Sequence, residues 1–251
     1  MTNLQTILRG TFHLSLNFIL IVLCALMAGN ARAETPPTTP TQVKAHYKIH
    51  KSGILIGTIE ERFSREGDTY KIISETKTAG ALKWLLNDQL ILSSEGKIGA
   101  SGLVPGRYEL KRLRDPKRDI SSTFDFAKNR TFLTRPGGGM SESFALPAGT
   151  LDRVSAMYQF AFVPPLAAEV SFLMSQGKDA ERYVYRKMGE ATIKVGETTY
   201  ATVHYVRETK PGESNAQLWL AKNQHYLAVR MIFEDSRGLS LEQTLVDLQT
   251  Q

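Results

Sequence analysis

Four histidines lie beyond residue 33, at His46, His50, His204 and His225. Imidazole is a common zinc ligand, so their spacing is the first test of chemistry. His46 and His50 sit four apart in VKAHYKIH, where apolar and polar residues alternate, so both point to one side of a strand. A rise of about 3.3 Å per residue sets them roughly 13 Å apart. Ligands to one zinc each lie about 2 Å from it. The pair therefore reads as polar-face histidines, and no metal ligand set is expected.

Nucleophiles are no better placed. No G-x-S-x-G elbow occurs, and Gly99-Ala-Ser-Gly102 lacks its spacing and reads as a turn before a strand. Pro136-Gly137-Gly138-Gly139 has no following Lys-Ser/Thr pair or helix start, so it is a hairpin loop and not a phosphate cradle. Glu60 and Glu61 are adjacent on a strand-like run and point to opposite faces, which breaks them as an acid/base pair. No catalytic residue and no cofactor is expected. A hydrolase is the least favoured reading.

Two non-catalytic features remain. Lys111, Arg112, Arg114, Lys117 and Arg118 crowd eight positions around Asp115-Pro116, a hairpin tip suited to anionic headgroups or an acidic partner. The plainer reading is a solvated tip that discourages edge pairing. Apolar residues gather elsewhere. In the run WLAKNQHYLAVRMIFED, Lys222-Asn223-Gln224 separates two strands, and Leu227, Val229, Met231 and Phe233 fall on one face. With Phe160 and Phe172 they form the candidate wall of an apolar ligand site; a filled core is the alternative.

The elements that must carry these residues are mostly strands. Val43, Ala45, Tyr47 and Ile49 begin a period-two pattern that recurs through about a dozen short runs divided by Gly, Pro, Asn and Asp turns. The expected fold class is all-β, an antiparallel β-barrel or curved half-barrel. One short helix is predicted over about 151–162. Thr150 or Asp152 can cap it, Leu151, Val154, Tyr158, Ala161 and Phe162 line one face, and Pro164-Pro165 stops it. Ala79–Leu86 reads as a helical turn or an irregular crossing.

The ends set the compartment. Residues 1–33 carry Arg9, Arg32 and no acid, an apolar run from about Leu14 to Met27, and Ala31-Arg32-Ala33. This is a secretory signal helix with cleavage expected after Ala33. An uncleaved anchor is the rival, but the run is short against the roughly 20 residues of a span, so no stable span is expected after cleavage. Cys24 leaves with that segment, so a disulfide or thiolate site is excluded from the rest. Residues 34–41, ETPPTTPT, form a mobile spacer, and 42–251 form one domain. Without Arg9 and Arg32 the chain keeps 29 basic and 25 acidic residues, a net of +4. Mild basicity suits an anionic envelope surface, and an exported chain is no partner for nucleic acid.

The string Ser94-Glu-Gly-Lys-Ile-Gly-Ala-Ser-Gly-Leu-Val-Pro-Gly-Arg-Tyr108 resembles the S-x-G-x-I-x-x-x-G-L-x-P-x-x-(F/Y) signature of domain of unknown function 3108. Leu151-Asp-Arg-Val-Ser155 is similar to that family's D-x-x-S helix start, with Arg-Val where a Pro often stands. The G-x-x-x-G pattern from Gly53, and the stretches from Tyr183 to Arg207 and Trp219 to Arg230, fit as well. The resemblance spans roughly 43–248 and implies a periplasmic β-rich domain of Gram-negative bacteria without an assigned reaction. The W-L-x(n)-V-R ending is more faintly similar to periplasmic lipoprotein carriers with a half-barrel fold. Together these lead to a non-catalytic, periplasmic envelope protein that holds a hydrophobic or lipidic ligand in a concave face. The alternative is an envelope scaffold or assembly factor acting through a protein partner.

Overall fold

A computed structural model describes residues 39–81, 83, 88–136, 141–210 and 212–251. The expected signal helix, residues 34–38 of the spacer, half of Ala79–Leu86 and Gly137–Gly139 lie outside the described residues.

Five long strands open the fold: β1 (Gln42–Lys51), β2 (Ile54–Glu66), β3 (Thr69–Thr78), β4 (Gln89–Gly99) and β5 (Gly102–Arg112). Then come β6 (Ile120–Asp125), β7 (Arg130–Thr134), β8 (Glu142–Ala145) and β9 (Thr150–Asp152), followed by helix α1 (Arg153–Phe162). The chain closes with β10 (Glu169–Ser175), β11 (Ala180–Val195), β12 (Thr198–Arg207), β13 (Asn215–Ala221), β14 (Leu227–Glu234) and β15 (Ser240–Thr250). All belong to one 15-stranded sheet in the order β8-β7-β6-β5-β4-β3-β2-β1-β15-β14-β13-β12-β11-β10-β9. Hydrogen-bonded neighbours are thus nearly always sequence neighbours, as short turns between alternating strands dictate.

The expected antiparallel sheet is present, with one exception. β9 pairs with β10 in parallel, because α1 carries the chain across between them. The sheet is not closed by a ladder between β8 and β9. It rolls like a scroll. Ser94 of β4 bonds Asp152 at the end of β9, and Gly177 of the β10–β11 turn abuts Ser122 of β6 and Leu133 of β7.

Packing follows the period-two pattern. Val43 pairs with Phe63 and Tyr47 with Ile59, so all four buried side chains share the inner face. Each large apolar side chain so buried contributes about 1.5–3 kcal/mol. The main core joins β1–β5 to Val154, Tyr158 and Ala161 of α1. A second cluster joins Phe160 to Tyr185, Val203, Tyr205, Leu218 and Met231. The helix therefore buries more than the one face read from its sequence. It begins two residues later than predicted, with Asp152, the last residue of β9, as its cap, while the Thr150 hydroxyl donates to the Pro147 carbonyl at 2.7 Å.

The last spacer residues are not a free arm. Thr41 N–H donates to the Gln251 carbonyl at 2.6 Å, Arg65 reaches Thr39 Oγ1 at 2.8 Å, and Pro40 is buried. The chain's pairing thus begins before β1, against its own C-terminal residue.

Candidate functional site

The quoted signature strings meet at one buried network. Asp152 Oδ1 accepts from the Val154 and Ser155 N–H groups at 2.8 and 2.9 Å, and Ser155 Oγ accepts from the Asp152 N–H at 2.9 Å. This is a capping box, which satisfies the orphan donors of the first helical turn. Oδ2 accepts from Ser94 Oγ at 2.5 Å, and Ser94 Oγ lies 2.9 Å from Tyr70 Oη. Burial pushes the Asp152 carboxyl up, while Ser94 and the two amides pull it back. The rest of the signature also packs. Gly102 has φ +96°, and a side chain there would strike the Gln159 amide. Gln159 clamps both sides of that glycine, accepting from Leu103 N–H at 2.8 Å and donating to the Ser101 carbonyl at 2.7 Å. The ladder shifts register at Gly96, which faces Pro105. These residues seat the β4–β5 hairpin on α1.

A second carboxyl faces inward. Glu61 sits beside Ala45 and Ser74 in the ladder, on the face of Ile59 and Phe63. Ser74 Oγ donates to its Oε1 at 3.1 Å, and Tyr158 Oη donates to Oε2 at 3.3 Å. Burial raises its pKa more than these bonds lower it. Glu60 takes the outer face with Arg62, at 2.7 Å. The arrangement offers a protonatable interior group held by two hydroxyl donors. His204 is engaged elsewhere. It stacks on Trp219 with ring centroids 4.1 Å apart and meets Gln217 at 3.2 Å. Arg230 covers the same indole at 4.7 Å and bonds Glu242 at 2.7 Å. His46 approaches Asp247 at 3.8 Å.

The candidate apolar wall divides. Leu227 and Val229 pack in the main core, whereas Met231 packs in the second cluster with Phe233 against it. The expected single face fails because of a bulge. Trp219 pairs with Arg230 and Leu220 with Ala228, which leaves Val229 as an extra residue against β13. Alternation is reset there, and Ala228, expected on the opposite face, is buried too.

Beside the second cluster lies a cleft of about 830 Å³. Met157 and Arg153 of α1, Met174 of β10, Tyr183 and Tyr185 of β11, and Phe233 of β14 line it. Phe172 supports this floor from behind, stacked on Tyr183 and Tyr185 at 6.3 and 5.8 Å, with Phe160 edge-on at 6.0 Å. The Arg207 guanidinium lies 4.0 Å over the Tyr183 ring. Arg182 and Arg207 stand with Glu181, Glu213 and Glu234 around the apolar floor. Of the expected wall residues, Phe233 lines the cleft directly, and Phe160 and Phe172 back it. Arg153 and Met157 were not read from sequence as lining residues, because the cleft joins the first turns of α1 to strands far along the chain.

Lys111 and Arg112 end β5, and Arg114, Lys117 and Arg118 follow on the tip, where Pro116–Arg118 form a 3-10 turn. Lys111 meets Glu109 at 3.2 Å, and Arg118 approaches Asp115 at 3.9 Å.

The sequence model of the DUF3108 family, described as a protein of unknown function, matches residues 42–245. No curated protein matches the chain. Among solved structures, a β-barrel-like protein of domain of unknown function 1849 from Brucella abortus aligns with a TM-score of 0.56 at 10% identity, covering 85% of this chain and 99% of that one. A Bacteroides fragilis protein with a YmcC-like fold, described as exported, aligns at 12% identity and a TM-score of 0.34, covering 85% and 97% of the two chains. A Parabacteroides distasonis protein described as a lipoprotein gives 14% and 0.34 with the same coverage. At these identities the first likeness is one of fold.

Proposed function

The chain belongs to the domain of unknown function 3108 family, and for this member we propose a non-catalytic role in the cell envelope, holding a hydrophobic or lipidic ligand. The observation that carries the reading is the cleft of about 830 Å³ with its floor of Met157, Met174, Tyr183, Tyr185 and Phe233. A volume of several hundred cubic ångströms suits a small-molecule ligand, and thioether and aromatic surfaces adapt to flexible apolar chains. The mixed cations and acids around it keep the mouth wet and leave the floor as the apolar contact. Export is supported by Arg9, the apolar run to Met27 and Ala31-Arg32-Ala33.

Native mass spectrometry of the protein purified from the periplasm tests both parts. The expected result is a polypeptide beginning at Glu34 that carries an extractable apolar molecule or takes up a fluorescent acyl-chain probe. Met157→Glu is expected to weaken probe binding at least tenfold with folding retained. A chain that is ligand-free and indifferent to the probe overturns the ligand reading, and a chain retained in the cytoplasm overturns the location.

A further inference from the structure

We propose that the end of the scroll bearing the β1–β2 and β5–β6 tips is a contact surface for an anionic phospholipid bilayer. Strand alternation puts the two tips together. β1 and β5 both finish at this end, because each step from β1 through β2, β3 and β4 to β5 reverses direction. Each tip projects a large apolar side chain into solvent, Ile54 at 66% and Leu113 at 63% exposure. Three strand spacings separate β2 from β5, roughly 14 Å at 4.7–4.9 Å each. Two such protrusions on separate hairpins suit a plane better than a pocket.

Cations surround them. Lys51 borders Ile54, and Lys111, Arg112, Arg114, Lys117 and Arg118 flank Leu113. The acids among them are partly occupied. Asp119 Oδ1 accepts from the Arg112 N–H at 2.7 Å, and Asp115 faces Arg118. Arg114 and Lys117 are exposed and join no ion pair among the described residues. At the opposite end Lys128 is held by Asp125 at 2.8 Å and Lys71 by Glu95 at 2.5 Å. An apolar wedge ringed by cations, Lys111 and Arg118 paired with Glu109 and Asp115 but Arg114 and Lys117 in no ion pair among the described residues, matches the acyl boundary and phosphate layer of an anionic membrane. The turns around 212–214 and 235–236, which line the cleft, lie at this same end. The proposal does not depend on the ligand reading.

Co-sedimentation of the purified protein with vesicles tests it. Binding is expected to vesicles of phosphatidylglycerol and phosphatidylethanolamine and not to phosphatidylcholine alone, with release at high salt. Arg114→Glu with Lys117→Glu is expected to weaken that binding at least roughly tenfold, each basic residue contributing about fivefold. Leu113→Asp and Ile54→Asp weaken it as well, with melting temperatures unchanged because both side chains are exposed. Lys97→Glu with Lys128→Glu, the same charge change at the other end, leaves it intact. Equal loss from both charge reversals, or no loss from the tip variant, overturns the proposal. So does a wild-type chain that ignores the vesicles, including one whose tip captures an acidic protein in their place.

Discussion

Burial raises the Glu61 carboxyl above its ordinary value of 4.5, and this ties folding to pH. The folded chain holds this proton more tightly than the unfolded chain. Its contribution to stability is therefore full below the ordinary glutamate value and is lost as pH rises through the elevated folded one. Asp152 shifts in the same direction for the same first cause. Urea unfolding followed from pH 5 to pH 8 is expected to show stability falling over this span, and Glu61→Gln to flatten the slope. A slope unchanged by the substitution would assign it to other groups. The sequence reading separated Glu60 from Glu61 by face correctly. It could not see Ser74 and Tyr158 closing on the inward one, since those contacts join residues far apart in the chain.

At the scale of elements, the seating of the β4–β5 hairpin on α1 rests on a fit between one glycine and one amide. Gly102 lies at φ +96° with Gln159 where a Cβ would stand. Gly102→Ala is expected to destabilise the protein by about 1–3 kcal/mol, from the left-handed backbone and the clash together. In a Gln159→Ala background the same change costs less, because only the backbone penalty remains. Thermal melts of the four proteins read the coupling. The helix was legible from periodicity and its stop signal, and most strands from alternation. The bulge at Val229 was not, because an extra residue leaves no mark in a run of apolar side chains. The parallel pair β9–β10 was hidden for a related reason: three residues are too few to show a period.

For the whole molecule, one sheet runs from edge to edge with α1 packed between two apolar clusters, so no boundary divides 42–251 among the described residues. Unfolding by denaturant is expected as one transition, with tryptophan fluorescence and far-ultraviolet circular dichroism coinciding. Two separated midpoints would mean that the strands before α1 and those after it melt apart. Fold class was readable from composition and turns, because an up-and-down sheet announces itself by short strands at even spacing. The cleft was not, because it depends on how far the sheet rolls.

That roll has a built-in limit. The outer lip of the scroll ends at Ala145 and its inner lip begins at Thr150, and the intervening link is four residues long with Leu146 buried. Fully extended, a link of this length spans about 17 Å. The lips are thus tethered like the halves of a clasp. The seam between them cannot widen beyond that reach unless the end of a strand melts.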